Sequence, residues 1–385
     1  MATPGVSNEI LLRCQCPLVG GNSILSITHM DLTHIRERLE ARENDLSPFA
    51  TRVVESKGRA RPEDPHPYRT EYQRDRDRVI HTNSFRRLKH KSQVFLAPKG
   101  DHYTTRLTHT IEVQQVARTI ARALNLNEDL VEATSLAHDL GHTPFGHVGE
   151  KVLNQLLPGG FHHSRHSVRI VQKLERDGRG LNLTHEVVEG IRRHSKPQGN
   201  FLGRDAVEGM TLEAQIVRIS DAIAYLAHDI NDAMRAGRIT VDDLPRRAID
   251  ALGCRHSQRA NALITDVIVT SAVSMSEAEA GGDEPIISMS EELGEVTTLL
   301  RDFMFERVYL PLSDSEQGKS AMRITRVLFE HYVSQPDQIP NFRESDETVE
   351  RIAADMVCGM TDEYAFRSAE TISPGISAGA FEGRL

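Results

Sequence analysis

Residues 211–235 carry one unbroken apolar stripe with helical spacing, and this stripe constrains the fold more than any other feature of the chain. Apolar residues that alternate between four and three positions apart lie along one side of an α-helix. A helix with so much apolar surface has to be covered by neighbouring elements, so the sequence predicts a core of packed helices. The stripe consists of Leu212, Ile216, Ile219, Ile223, Leu226 and Ile230.

Helical patterns dominate the rest of the chain, and only Ser92 to Leu96 is predicted to form a short strand. We therefore expect an all-α (mostly α) fold with few short strands. Residues 31–240 are expected to form the helical core, residues 241–370 a helical C-terminal extension of the same domain, and residues 371–385 a flexible tail. Further helices are predicted at 31–45, 71–91, 105–124, 128–140, 147–157, 164–176, 184–195, 243–252, 257–274, 289–309, 317–334 and 345–357.

The composition is that of an ordinary globular protein and disfavours several classes. The 385 residues are 39% hydrophobic and 26% charged, and the net charge of −9 argues against a general nucleic-acid binder. No apolar run reaches the roughly 18 residues of a membrane span, and the N-terminus lacks a signal-peptide pattern. Residues 1–30 are expected to be a poorly ordered or artefactual extension, because Met30 offers an alternative start. We expect a cytoplasmic protein, since its cysteines form no disulfide framework.

The stretch SLAHDLGHTPFGHVGE, Ser135 to Glu150, places three histidines beside two carboxylates at the predicted end of an apolar helix. His138 and Asp139 are adjacent, but a single His-Asp pair is a weak motif. His109 and Asp221 stand on two other predicted helices, and each taken alone is more simply a structural or solvated residue. The combination is a stronger signal, because two imidazoles and two carboxylates from three helices can converge on one metal ion.

This set of ligands suits a borderline-hard divalent ion. We expect Mn²⁺, with Mg²⁺, Fe²⁺, Co²⁺ or Zn²⁺ as alternatives, because imidazole and carboxylate ligands accept several of these ions. The absence of thiolates disfavours a closed structural zinc site. Four protein ligands would leave coordination positions open for water and substrate.

Six sequence blocks contain or flank these positions: YQRDRDRVIHTNSFRRL, FRRLKHKSQVF, TTRLTHTIEV, HDLGHTPFGHVGE, GGFHHSRHSVRIV and RISDAIAYLAHDIND. The H…HD…D order resembles the HD-domain phosphohydrolases, and the blocks together are similar to the dGTPase-like deoxynucleoside triphosphate triphosphohydrolases. The resemblance runs from about Ile35 to about Arg235. It implies the HD-domain helical fold and hydrolysis of a dNTP to a deoxynucleoside and inorganic tripolyphosphate, by attack of metal-activated water at the α-phosphorus. A role in control of dNTP pools follows from that activity.

The resemblance also implies which residues act in the reaction. In GGFHHSRHS the chain departs from the family pattern, because Ser164 and His166 stand where Asn and Gln are usual. His162, His163 and His166 are therefore alternatives for one general acid, and His163 has the matching register. The implied metal ligands are His109, His138, Asp139 and Asp221, and the implied catalytic residues are His142, His147, Glu150 and His163.

Five further positions match substrate-binding residues of the family. Arg106 is expected to bind phosphate, and Gln93 is expected to bind the sugar 3′-hydroxyl with help from Asp229. Val94 is expected to lie under the sugar, and Tyr225 to stack below it and exclude a 2′-hydroxyl. Without the matched blocks, Tyr225 would be read as ordinary core packing.

The segment from Arg69 to Arg106 is basic, with ten Lys or Arg against four Asp or Glu. It is either a solvated helix face or a surface that attracts a polyanion such as a dNTP. It could also bind a second, activating nucleotide or single-stranded nucleic acid. The family resemblance further implies a homo-oligomer, dimer-based or hexameric, while the lack of a long apolar run predicts no membrane association.

Two rival interpretations stay open at this point. The first is another HD phosphohydrolase, such as a 5′-nucleotidase or a nucleotide phosphodiesterase. The second is a nucleotide-sensing or nucleic-acid-binding protein that kept the fold without catalysis. The expected substrate contacts argue against the first, and the complete metal-ligand set argues against the second.

Overall fold

The computed structural model describes residues 33–96, 102–195, 203–340, 346–376 and 378. These residues are mainly helical, which confirms the all-α prediction. The expectation for residues 1–30 lies outside the described residues, as does most of the predicted tail. The helices are α1 (Thr33–Arg42), α2 (Glu71–Ile80), α3 (Asn83–Arg87), α4 (Arg106–Ala123), α5 (Glu128–Ala137), α6 (His147–Leu156), α7 (His163–Arg169), α8 (His185–Arg193), α9 (Arg204–Val207), α10 (Leu212–Arg235), α11 (Arg246–Leu252), α12 (His256–Glu279), α13 (Glu291–Met304), α14 (Leu310–Asp314), α15 (Glu316–Ser334), α16 (Val349–Cys358) and α17 (Asp362–Ile372).

Short turns of other helical types connect or extend these elements. None of the helices in the described ranges is both long enough and apolar enough to cross a membrane. The 3-10 turns are Glu43–Asp45, Val53–Glu55, Leu88–His90, Val241–Asp243 and Pro336–Gln338, and the π-helical turns are Ile170–Leu174 and Phe305–Tyr309.

The stripe that predicted α10 is buried in the largest hydrophobic cluster, as expected. All six of its residues belong to this cluster, and α10 packs against α4, α5, α8 and α12. Thr211 caps α10, because its side chain accepts a hydrogen bond from the backbone N–H of Ala214. Burial of each Leu or Ile side chain contributes about 1.5–3 kcal/mol. The helix is thus held on several sides and can keep its polar residues in fixed positions.

Two further hydrophobic clusters flank this core. One joins α6 to the C-terminal helices α15, α16 and α17, and the other joins α2, α5, α7 and α8. The C-terminal helices therefore pack directly against the segment that contains the histidine-rich motif.

The predicted strand at residues 92–96 is wrong. Within the described ranges, extended pairing is limited to isolated bridges, and the one in this segment joins Ser92 to Thr105. The backbone N–H of Ser92 instead donates to the carboxylate of Asp362, at 2.9 Å. The predicted helix 71–91 is also interrupted, because Thr82 caps a new helix by accepting from the backbone N–H of Phe85.

Candidate active site

The four expected metal ligands come together from three helices. His109 lies in the first turns of α4, His138 and Asp139 directly follow α5, and Asp221 lies in the middle of α10. Nε2 of His109 is 3.1 Å from Oδ1 of Asp221 and 3.8 Å from Oδ2 of Asp139. Nε2 of His138 is 3.4 Å from Oδ1 of Asp139 and 3.9 Å from Oδ1 of Asp221. A single cation placed among these atoms could contact all four side chains.

The imidazole of His138 presents a lone pair to this group of atoms. Its Nδ1 lies 2.6 Å from the carbonyl oxygen of Ser135, and a carbonyl can only accept, so Nδ1 carries the proton. The other nitrogen, Nε2, is buried and has no hydrogen-bond partner among the described residues. A buried unpaired lone pair is costly, so this side chain fits a metal ligand.

His109 is held from behind by a chain of side chains on α10. Its Nδ1 lies 2.9 Å from Nε2 of His228, and Nδ1 of His228 lies 2.9 Å from Oδ1 of Asp229. Burial lowers the pKa of His228, but the carboxylate of Asp229 outweighs this effect and the net pKa is above the usual value. When the ring is neutral with its proton on Nδ1, beside the carboxylate, its Nε2 accepts from Nδ1 of His109. In that state Nε2 of His109 offers its lone pair to a cation, which is the outer support that metal-binding histidines usually have.

Electrostatic effects keep Asp139 ionised. Burial opposes its ionisation, but the imidazoles of His142 and His138 and the guanidinium of Arg106 hold the pKa of this carboxyl well below its usual value. Burial is also the main cause that lowers the pKa of His109. A neutral imidazole and an ionised carboxylate are the forms that bind a metal.

Arg106 has unused hydrogen-bonding capacity at the edge of this group. Its side chain is 1% exposed, and Nη1 donates to Oδ2 of Asp139 at 2.8 Å. Its Nε and Nη2 have no partner within the described residues, and neither does Oε1 of the buried Gln93. Unpaired guanidinium donors that line a cleft are suited to bind an anion.

A second group of side chains follows the expected metal ligands along the same cleft. Nε2 of His142 lies 3.1 Å from Oδ1 of Asp139, and its ring stacks on that of His163 with centroids 4.0 Å apart. Nδ1 of His163 lies 2.9 Å from Oε1 of Glu150. His147, whose side chain is 59% exposed, lies 3.4 Å from the same carboxylate.

Glu150 sets the charge state of His163. Burial lowers the pKa of His163, but the neighbouring carboxylate of Glu150 raises it more, so the net pKa is above the usual value. Burial and the guanidinium of Arg106 instead hold the pKa of His142 well below its usual value. The stacked pair therefore contains one imidazole that favours a proton and one that does not.

Two glycines allow the backbone to bring these groups together. A Cβ on Gly141 would lie 2.4 Å from the carbonyl oxygen of His163 and 2.2 Å from the backbone nitrogen of Ser167, so the start of α7 could not approach. Gly146 has φ of +56°, and a Cβ there would lie 2.8 Å from Nη2 of Arg106. These glycines place the turn after α5 against both α7 and Arg106.

Among the three alternative histidines, His163 is the one that lines the cleft. His162 accepts from the backbone N–H of Ser164 and caps α7. His166 is buried beside Phe161, with ring centroids 5.3 Å apart. The positions of the other two are therefore consistent with the choice by register.

Only two of the four expected sugar-binding residues line the cleft. Gln93 and Tyr225 line the cleft together with the phosphate-side residues. Val94 is partly buried against the main hydrophobic cluster, and Asp229 is buried and accepts from the hydroxyl of Tyr309 at 2.9 Å. Neither Val94 nor Asp229 is among the residues that line the cleft.

The sequence interpretation missed several residues of this site. Arg301 and Ser195 line the cleft, and Tyr309 packs on Tyr225 with ring centroids 5.5 Å apart. His194 is buried, and its Nε2 lies 3.2 Å from Nε2 of His163. His228 could have been found, since it lies on the polar stripe of α10 with Asp221 and Tyr225. The others come from distant helices without a recognisable spacing.

Comparisons with known proteins agree with this geometry. The family described as the HD domain matches residues 106–226, and the family described as the phosphohydrolase-associated domain matches residues 287–371. Proteins called deoxyguanosinetriphosphate triphosphohydrolase-like are similar over most of the chain. The one from Caldanaerobacter subterraneus subsp. tengcongensis is 49% identical, over 87% of this chain and 94% of its own length.

Two other relatives with the same description have similar identities and coverages. The one from Desulfatibacillum aliphaticivorans is 47% identical, over 88% of this chain and 97% of its own length. The one from Clostridium perfringens strain 13 is 45% identical, over 86% of this chain and 95% of its own length. A match over this share of the chain has to include the histidine-rich site.

Proposed function

Because the chain belongs to the family of deoxyguanosinetriphosphate triphosphohydrolase-like proteins and is a hydrolase, we propose that it hydrolyses deoxynucleoside triphosphates to a deoxynucleoside and inorganic tripolyphosphate. In this reaction water attacks the α-phosphorus and the 5′-oxygen of the nucleoside leaves. The resulting role would be control of dNTP pools, in the cytoplasm. The observation that carries the proposal is the cleft in which Arg106, with two unpaired nitrogens, lies beside histidines and carboxylates that could hold a metal.

The metal-binding set in this proposal is His109, His138, Asp139 and Asp221. The unpaired Nε2 of His138 and the ionised Asp139 support a divalent cation there. When bound, the ion would neutralise phosphate charge and lower the pKa of a water ligand. We propose Mn²⁺ as this ion, with Mg²⁺, Fe²⁺, Co²⁺ and Zn²⁺ as alternatives, because a mixed imidazole and carboxylate set accepts all of them.

The phosphates would be held by Arg106 together with histidines of the same cleft. Arg106 has two nitrogens without partners among the described residues, and His142 and His147 line the same cleft. Multiple hydrogen bonds from a guanidinium to phosphate oxygens fix the orientation of the triphosphate and offset part of its negative charge. Such fixed contacts are a large part of catalysis in phosphate chemistry.

The leaving 5′-oxygen needs a proton, and we propose that His163 supplies it. Its pKa is raised by Glu150, which also lies 2.9 Å from Nδ1. A carboxylate on Nδ1 leaves Nε2 as the nitrogen that can donate towards the cleft. Glu150 therefore acts as a positioning residue for His163.

Selection of a deoxyribonucleotide would depend on the sugar end of the cleft. Gln93 has an unpaired buried oxygen that can accept from a sugar hydroxyl. Tyr225 narrows the cleft beside it, and an added 2′-hydroxyl would be buried against its ring without a partner. We propose that Val94 and Asp229 contribute to sugar binding indirectly. Val94 would do so through packing against the main hydrophobic cluster, and Asp229 through the hydrogen bond that it accepts from Tyr309.

The expected partners other than the substrate stay predictions. An activating nucleotide, single-stranded nucleic acid and assembly into dimer-based homo-oligomers were inferred from the resemblance or from the basic segment. Part of that segment is already paired, since Arg76 and Arg69 both contact Asp77. Its capacity for a further polyanion is thus smaller than its composition suggests.

The test is product analysis with the purified chain and Mn²⁺. Each of the four dNTPs and the matching ribonucleotides is incubated singly and in mixtures, and nucleosides and phosphates are resolved by ion-exchange chromatography. We expect deoxynucleoside and tripolyphosphate in equal amounts and little reaction of the ribonucleotides. Orthophosphate or pyrophosphate as the first product would instead indicate another type of HD phosphohydrolase.

A variant pair links the activity to this cleft. Asp139→Ala removes a carboxylate that is shared by both halves of the site, and turnover should fall below detection. Asp250→Ala is the matched control, because Asp250 is exposed on α11 and pairs with Arg246. Activity that survives in Asp139→Ala would show that the reaction takes place elsewhere.

A further inference from the structure

The imidazole rings of His163 and His194 meet through their Nε2 atoms, which are 3.2 Å apart. His163 begins α7 and His194 directly follows α8, so two different helices hold this contact in place. The two residues are 8% and 1% exposed. His163 is among the residues that line the cleft, and His194 contacts its ring from the protein interior.

The partners of the other two ring nitrogens define what the Nε2 atoms can do. Nδ1 of His194 lies 2.7 Å from the carbonyl oxygen of Ile191, which can only accept, so this Nδ1 carries a proton. A neutral His194 therefore has its lone pair on Nε2, the atom that faces His163. Nδ1 of His163 lies 2.9 Å from Oε1 of Glu150 and carries a proton for the same reason.

A further proton between the two Nε2 atoms belongs to His163. The carboxylate of Glu150 stabilises a positive charge on His163, whereas Nδ1 of His194 faces only a neutral backbone carbonyl. The imidazolium of His163 then donates to Glu150 through Nδ1 and to the lone pair of His194 through Nε2. Without this proton, two lone pairs would face each other across the 3.2 Å contact and repel.

The charged groups around His163 come from several elements and favour its protonated form. Burial lowers the pKa of His163, but Glu150 on α6 raises it more. Asp139, in the turn after α5, raises the pKa further, and Arg106 on α4 opposes this effect. Oδ1 of Asp139 is 3.9 Å from Nε2 of His194, which is too far for a hydrogen bond. The histidine rings beside His163 are those of His142, His147, His162 and His194.

From these contacts we propose that His194 is a positioning residue for His163, because its Nε2 accepts the hydrogen bond of the proton that the leaving 5′-oxygen later receives. The inference deepens the proposed function and rests on it, since it gives His163 the same role as general acid. In the substrate-free cleft the proton is held at a fixed atom. The oxygen of a bound substrate then competes for it from the cleft side.

The proton transfer balances with the hydrolysis. When the bond between the α-phosphorus and the 5′-oxygen breaks, the Nε2–H bond of His163 breaks as well and an O–H bond forms on the deoxynucleoside. The electron pair of the N–H bond stays on Nε2, opposite the lone pair of His194, so the neutral ring is disfavoured. A proton released by the attacking water reaches the ring through solvent and restores the imidazolium. His194 thus favours return of the acid to its protonated form after each turnover.

Three variants separate an acceptor at this position from simple packing. His194→Leu fills part of the space but offers no acceptor, whereas His194→Gln supplies an amide oxygen that can accept from Nε2 of His163. His185→Leu is the matched control, because His185 is exposed at the other end of α8. Circular dichroism checks that each variant keeps its helices.

The kinetic test is the pH dependence of kcat/KM for a dNTP, which reports the essential acid of the free enzyme. In the wild type kcat/KM should fall at high pH, as His163 loses its proton. In His194→Leu this fall should begin about one pH unit lower, which corresponds to the loss of one hydrogen bond to a charged group. Its kcat/KM should be about tenfold below that of the wild type at high pH and little changed at low pH. His194→Gln and His185→Leu should keep the wild-type profile.

Nuclear magnetic resonance tests the contact without turnover. Protein with isotope-labelled histidine and diamagnetic Mg²⁺ is titrated with acid and base, and the nitrogen shifts show which ring nitrogens carry protons. In the wild type His194 should keep its proton on Nδ1 while His163 titrates. The midpoint for His163 should fall by about one pH unit in His194→Leu. If that variant does not fold, the proton positions in the wild type decide.

The proposal is overturned if His194 of the wild type carries its proton on Nε2, or if the midpoint for His163 is unchanged in a folded His194→Leu. It is also overturned if His194→Leu lowers kcat/KM by the same factor at every pH, since His194 would then act only through packing. Failure of the proposed function gives a different result. In that case the resonance experiment would show the hydrogen bond between the rings, while no dNTP would yield tripolyphosphate.

Discussion

The unpaired nitrogens of Arg106 indicate which kind of ligand the cleft can bind. It is buried and bonded to Asp139, yet two of its nitrogens have no partner in the described part of the chain. A folded protein rarely leaves buried charged donors unpaired. We propose that the phosphates of the substrate supply the missing partner.

We expect Arg106→Ala to reduce kcat/KM for a dNTP by about 30-fold or more, since loss of a buried charge contact costs about 2–5 kcal/mol. Steady-state kinetics with Mn²⁺ measures the effect. Arg118→Ala is the matched control on the same helix, because Arg118 is partly exposed and pairs with Glu128 and Glu132. Similar losses in both variants would contradict a specific phosphate contact.

His166 is a buried histidine that links stability to pH. Burial lowers its pKa to about 3, with further contributions from the charges of Lys91, Arg351 and Arg169. The carboxylate of Asp355 also lies close, 3.7 Å from Nδ1. The folded state therefore resists protonation of this ring, whereas the unfolded chain accepts a proton near pH 6.5.

Since the folded pKa is the lower one, the stabilising effect of neutral His166 is complete above pH 6.5 and is lost as the pH falls towards 3. Between pH 6.5 and 5.5 this loss is about 1 kcal/mol. Over this pH interval, we expect the unfolding free energy of His166→Gln to fall by about 1 kcal/mol less than that of the wild type. Urea denaturation at both pH values measures it. Equal losses would mean that His166 is protonated in the folded protein.

At the scale of elements, the first residue of α17 holds the turn after α5. The carboxylate of Asp362 accepts from the backbone N–H of Phe145 at 3.0 Å and from that of Ser92 at 2.9 Å. Lys91 adds a second link, because its Nζ donates to the carbonyl oxygens of His142 and Cys358. A C-terminal helix is thus bonded to the turn that contains the cleft histidines.

We expect Asp362→Ala to lower the unfolding free energy by about 2–6 kcal/mol, because two backbone N–H groups lose their acceptor at about 1–3 kcal/mol each. The turnover number should fall as well, since the turn with His142 would be less well positioned. Glu363→Ala is the control: Glu363 is exposed and pairs with Arg367, so less than about 1 kcal/mol is expected. Unchanged turnover in Asp362→Ala would show that the turn holds its position without this contact.

Elements with a strong local pattern were predictable, and those that depend on distant partners were not. The periodicity of α10 predicted its burial correctly, because the stripe is long and regular. The strand predicted at residues 92–96 did not form, since the N–H of Ser92 is taken by Asp362, far along the chain. Thr82 divides the helix predicted for 71–91, although its capping role is visible only once the break is known.

For the whole molecule, the metal-binding group should make stability depend on metal. The set contains two carboxylates and two imidazoles in or near the core, and a bound cation would offset their repulsion and desolvation. Mn²⁺ at about 100 times its Kd should raise the unfolding free energy by about 2.7 kcal/mol for each ion. Thermal melts with and without Mn²⁺ measure this, and Asp221→Asn should reduce the increase. An equal increase in Asp221→Asn would place the stabilising ion elsewhere.

The sequence was sufficient to predict that the four proposed metal ligands lie together, but not to complete the site. His109, His138, Asp139 and Asp221 could be named because the adjacent blocks fix their register. Their convergence needed only the packing of α4, α5 and α10. His194 and Arg301 reach the cleft from α8 and α13 through tertiary packing, and no local spacing relates them to the motif.

The bonds from Asp362 and Lys91 to the turn have a consequence for how this protein can be divided. Residues 106–226, which match the HD domain, contain the four ligands but neither Asp362 nor Lys91. An excised fragment with these bounds would keep its sequence motif but lose the two side chains that hold the turn after α5. The two matched segments depend on each other through Asp362, and the turn also depends on Lys91, which lies before both of them. A graft or a truncation at the boundaries of the matched segments would therefore remove contacts that hold this turn.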